Sequence, residues 1–167
     1  MATPIPYLAG YPPELQEKAA VWLAEGRILP ALQQRYPERH GVHNHDQLRR
    51  YVLEIKDRYL RKTPPLKRVL YDDKLHVVHQ ALGLNTQRSH AHGGKLRTQH
   101  EIRVGRLFQT APEAFLRMIV VHELAHLKHF EHDQDFYRLC CHMEPDYHQL
   151  EFDLRLYLAA TEAESGA

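Results

Sequence analysis

The stretch that decides the fold is Thr110-Ala111-Pro112-Glu113-Ala114-Phe115-Leu116-Arg117-Met118-Ile119-Val120-Val121-His122-Glu123-Leu124-Ala125-His126-Leu127. Thr110 as N-cap, Pro112 in the first turn and Glu113 three residues after the cap make a capping box, so a helix is expected to start there. Phe115, Leu116, Met118, Ile119, Val120, Val121, Leu124 and Leu127 lie on nearly all its sides, as in a helix buried at the centre of a domain. His122 and His126, four positions apart, place two imidazoles on one face about 6 Å apart, close enough to share an ion. Glu123 stands beside them as the base for a water whose pKa a metal lowers toward neutrality. Fourteen histidines make chance pairs commoner. The context adds weight, because two imidazoles and a carboxylate are expensive to bury without a partner such as a metal.

A catalytic zinc takes three protein ligands and keeps one position open. His129 shares the face of His122 but lies about 10 Å along a straight helix from it, too far to join both. His132 is better placed if the helix ends near Phe130 and a turn at residues 131–133 swings it back. The interval from His126 to His132 equals that of the metzincin signature, with His129 where that motif has glycine. The rival is a carboxylate further on, Glu151 or Asp153, as in zincins that use two His and one Glu. His142 and His148 read as surface or supporting groups, although His148 with Tyr147 could donate to a developing oxyanion. His40, His43 and His45 read as solvent-exposed turn residues.

Upstream, residues 12–34 show helical periodicity with Gly26 as a weak spot, and residues 46–61 form a second amphipathic helix that ends at Thr63-Pro64-Pro65. Residues 66–71 and 75–79 read as a hairpin around Asp72-Asp73, and Gly93-Gly94 precedes a further strand over 96–104. Downstream, helices are expected over about 134–141 and 146–158. The sum is α+β: a small sheet packed on the central helix, flanked by others, in one domain over residues 1–167.

Apolar residues at 43% and charged residues at 26% fit a folded globular chain. Twenty-two Lys and Arg against twenty-one Asp and Glu create no field that favours a nucleic acid or an acidic membrane. The first residues lack a basic segment followed by an apolar one, and the densest apolar run is too short to span a bilayer, so a cytoplasmic protein is expected. Adjacent Cys140 and Cys141 cannot form an unstrained disulfide together and read as small, inert hydrophobes.

The run from Ala111 to Lys128 closely resembles the YgjP-like metallopeptidase-type family. So do Glu131-His132, Phe136-Tyr137, Cys140-Cys141-His142-Met143-Glu144-Pro145 and Tyr147-His148-Gln149-Leu150-Glu151-Phe152-Asp153. Earlier matches are Gly10-Tyr11-Pro12, Pro64-Pro65-Leu66, Ala81-Leu82-Gly83-Leu84, Gly93-Gly94-Lys95-Leu96 and Glu101-Ile102-Arg103-Val104. The likeness spans roughly Tyr7 to Leu158 and implies a minimal zincin with Zn2+ on His122, His126 and His132. SprT-like proteases are similar in having Phe four residues after that last His, here Phe136. The wider family places Asn where this chain has Glu131, and its Trp-Gly-Ser strand signature is replaced by Gln87-Arg88-Ser89-His90.

The leading expectation is peptide hydrolysis, with Glu123 activating water and returning its proton to the leaving amine, and with a substrate strand paired along residues 96–104. The resemblance also implies an alternative, cleavage of UTP to UMP and pyrophosphate. Phosphates need cations, and Lys56, Arg58, Arg61, Lys62, Lys67, Arg68, Lys95, Arg97 and Arg103 supply them locally. A magnesium-only site would fit three imidazoles poorly.

Overall fold

The computed structural model describes residues 3–74, 78, 81–82 and 100–166. They form an α+β chain that divides into two compact units, Met1–Glu38 with His148–Ala167, and Arg39–Tyr147.

In the unit Arg39–Tyr147, helix α3 (His45–Tyr59) starts where the Asn44 side chain accepts the Gln47 N–H at 2.8 Å, a regular N-cap. Two strands follow in the described residues, β1 (Arg68–Asp72) and β2 (Glu101–Gly105), paired in parallel with Val69 opposite Ile102 and Tyr71 opposite Val104. Those four side chains are buried, which is the period-two pattern of a sheet with one covered face. Arg103 binds Asp72 across the ladder at 2.7 Å. Burial opposes the charge on Asp72, but the Lys74 N–H and the Arg103 guanidinium outweigh it and hold the carboxyl below its ordinary value.

The hairpin expected around Asp72-Asp73 is corrected where it is described. Val78 accepts the Leu82 N–H in a helical bond, and β1 pairs with β2. Residues 75–77 and 79, the Gly93-Gly94 reversal, residues 96–99 and Gln87-Arg88-Ser89-His90 lie outside the described residues. Gly105 ends β2 where a Cβ would clash with the Cγ2 methyl of buried Val78. Gly105→Ala is therefore expected to destabilise the protein by about 1–3 kcal/mol, read as a lower urea midpoint. An unchanged midpoint would show that Val78 can swing aside.

The central helix α4 (Glu113–Ala125) packs against β2, α3 and α5 (Gln134–Met143), and from Phe115 to Ala125 every residue but Arg117 is buried. Its start differs from the expected capping box. Pro112 is the N-cap residue, and the Thr110 hydroxyl donates to Leu107 O instead. Glu113 accepts from the Tyr51 hydroxyl at 2.8 Å, so a contact from α3 uses the carboxylate that a box would have turned inward. Arg117 donates to Glu144 and to the Met143 carbonyl, which ties α4 to the end of α5.

In the other unit the single helix expected over residues 12–34 is two, α1 (Pro13–Ala24) and α2 (Ile28–Arg35). Gly26 adopts φ +68°, Gly26 N–H donates to Leu23 O, and Arg27 N–H donates to Trp22 O. That is a Schellman ending, which a glycine makes at no steric cost. Helix α6 (Tyr147–Ser165) supplies Arg155, whose guanidinium donates to the Tyr7 carbonyl and to Glu151. Buried Asp153 accepts from Tyr36, Gln149 and Arg35. Among the described residues no helix is long and apolar enough to cross a membrane.

Candidate metal centre

His122 and Glu123 lie in the last turn of α4, buried at 2% and 4% exposure. The helix stops at Ala125, earlier than the end expected near Phe130, and His126 is its C-cap residue. From there the chain tightens. Lys128 and His129 N–H groups both donate to Ala125 O, and the His126 Nδ1–H donates to the His129 carbonyl at 3.0 Å. Asp133 then caps α5 by accepting the Phe136 N–H, which fixes the direction in which His132 leaves the turn.

The result gathers three imidazoles. The potential ligand atoms of His122, His126 and His132 all lie within 4.8 Å of one another, with Nε2 of His126 and Nε2 of His132 3.0 Å apart. Two nitrogens bound at about 2.0–2.1 Å to one tetrahedral ion stand roughly 3.4 Å apart, so the spacing fits a shared ion. The donor chemistry fits as well, because neutral imidazoles suit zinc and its neighbours in the first transition row. Phe136 walls the group, its ring 5.0, 4.5 and 5.0 Å from those of His122, His126 and His132.

Tyr147, read from the sequence only as a partner of His148 toward an oxyanion, contacts His122 instead. In the tautomer that keeps a lone pair on Nε2, His122 Nδ1–H donates to the Tyr147 oxygen at 2.8 Å, and the two rings stack at 6.4 Å with an 11° tilt. Such outer contacts fix tautomer and ring orientation. Tyr147→Phe keeps the ring and removes the acceptor, so metal affinity is expected to fall about tenfold in a chelator competition. Unchanged affinity would reduce Tyr147 to packing.

The model of the "YgjP-like, metallopeptidase domain" family matches residues 15–157. The chain belongs to the YgjP-like family. It is also 52% identical, over 152 residues and 91% of each chain, to a protein of Escherichia coli (strain K12) named UTP pyrophosphatase. No solved structure matches significantly. This YgjP-like chain is thus a metal-dependent hydrolase.

The remaining expectations fall out unevenly in this YgjP-like protein. Glu151, weighed against His132, is paired with Arg155 at 2.9 Å, and Asp153 is taken up by three donors. His142 is exposed with its ring edge-on to Tyr59, and His148 is exposed. His40 is half-buried, while His45 is exposed as expected. His40 receives the Val42 N–H and donates to Phe108 O, while His45 Nδ1 accepts the Tyr71 N–H, and His43 is exposed. Burial pushes the Tyr71 hydroxyl up to about 12, against the pull of Arg106. Cys140 is buried, and burial pushes the Cys141 thiol up, as inert cysteines behave.

The cation run is largely engaged already. Lys56 is buried and donates to Thr63 O, Arg68 and Arg103 pair with Glu101, and Arg58 lies over the Tyr59 ring. Lys62 and Lys67 are exposed, and Lys95 and Arg97 lie outside the described residues.

Proposed function

We propose that the chain is a zinc-dependent nucleoside triphosphate pyrophosphatase that cleaves UTP to UMP and pyrophosphate. His122, His126 and His132 hold the ion, and Glu123 is the general base. The observation that carries this reading is the relative named UTP pyrophosphatase, similar over nine-tenths of both chains. It replaces peptide hydrolysis as the leading reading. The gathered imidazoles beside a buried carboxylate supply the machinery such a cleavage needs.

In the reaction a water oxygen bonds to the α-phosphorus and the bond from that phosphorus to the bridging oxygen breaks, so UMP and pyrophosphate separate. The ion, when bound, supplies Lewis-acid charge that makes water more acidic and offsets phosphate charge. Glu123 accepts the proton that water loses, from a side chain restricted by the packed end of α4. Tyr147 holds the His122 ring in place, and Phe136 excludes water from the flank it covers.

Peptide hydrolysis is kept as a second reading, because HExxH on a buried helix and the family's metallopeptidase description favour it. One preparation decides between them. Elemental analysis is expected to find about one zinc per chain, and UTP is expected to yield UMP and pyrophosphate in equal amounts while denatured casein stays intact. Cleaved casein with untouched UTP would reverse the order. A metal-free preparation with full activity would remove the metal from both.

A further inference from the structure

We propose that the turn at residues 127–131 reads the nucleotide, with Phe130 as the platform on which the base stacks and Lys128 as a contact for the phosphates. This rests on the triphosphate reading above. Phe130 is 64% exposed, and the other large apolar side chain exposed among the described residues is Val21 on α1. A single exposed hydrophobe is ordinary. The place of this one is not, because both ends of its turn are fixed to the same imidazole.

The peptide carbonyl just before Phe130 accepts from His126 Nδ1, and two residues later His132 brings its Nε2 to 3.0 Å from His126 Nε2. The Phe130 Cα therefore lies within about 8 Å of the His132 Cα. A base stacked on the ring is separated from its α-phosphate by one ribose, so a platform two residues from His132 is within reach of a nucleotide whose phosphates meet the imidazoles. An aromatic face accepts any base, because every base has a π-face.

Lys128 stands on the same turn, its N–H bonded to Ala125 O and its side chain exposed. Among the described residues it forms no ion pair, unlike Arg68, Arg103, Arg106, Arg117 and Arg155. An exposed cation on the turn between His126 and His132 is suited to the β- and γ-phosphates.

The test is calorimetric titration of the full-length, zinc-loaded protein with α,β-methylene UTP and with inorganic tripolyphosphate. Phe130→Ala is expected to weaken the nucleotide analogue about fivefold or more and leave tripolyphosphate unchanged. Phe130→Trp should restore the analogue, and Lys128→Ala should weaken both ligands alike. If Phe130→Ala leaves the analogue unchanged, or weakens both ligands equally, the platform is overturned even where the wild type hydrolyses UTP. Wild-type protein that binds neither ligand would overturn the triphosphate reading and the platform with it.

Discussion

Glu123→Gln is expected to lower UTP turnover by about 10²-fold or more while fold and metal content stay as in the wild type. The amide has the size of the carboxylate, and the site is buried at the packed end of α4, so a larger or smaller residue would confound the result with a packing defect. What the amide lacks is the ability to accept a proton from water. The loss should fall on kcat rather than KM, because binding does not need the base. Circular dichroism and elemental analysis of the same preparation serve as controls. Full turnover in this variant would take Glu123 out of the mechanism.

If His132 is the third ligand, as proposed, His132→Ala should weaken zinc binding well beyond the 10- to 100-fold that loss of an outer contact causes. Glu151→Ala should leave affinity near the wild type, since Glu151 is occupied by Arg155 and its loss would be felt as stability instead. Titrating both variants against a chelator of known affinity separates the two models. His132 is exposed and sits in a turn, so its removal leaves the core intact and folding is not in question. Equal affinity of His132→Ala and wild type would make the His126 to His132 spacing a coincidence.

The parts of the molecule legible in the sequence are those governed by local chemistry. The apolar run from Phe115 to Ala125 forces a buried helix, and the i, i+4 histidines must share its face. His132 was legible only as one of two third-ligand choices, because its position depends on where α4 stops. Three features needed tertiary information. Thr110 has the residue type of a cap, yet Tyr51, sixty-two positions before Glu113, claims the carboxylate that would have completed the box. β1 was visible as a strand, but its parallel partner lies thirty-odd residues on, beyond the range of turn chemistry. Tyr147 is a phenol at the start of a helix in the sequence, and only the fold brings it to the Nδ1 of His122. Gly26 is the opposite case. Its position near the end of the periodic run announced a weak point, and the left-handed backbone turns that weakness into a boundary.

The three imidazoles are graded in burial, His122 closed off, His126 half-open and His132 in solvent. On the proposed ligand set, that gradient gives an expected order of capture and release. His122 sits in the last turn of α4 and His126 at its C-cap, whereas His132 comes at the end of the turn that precedes the Asp133 cap. Exchange should then pass through the exposed histidine, whose position follows from the Asp133 cap of the next helix. On the proposed ligand set an ion would also be a clasp, joining the C-cap of one helix to the turn before the next, and its removal would loosen that joint before it touched the core.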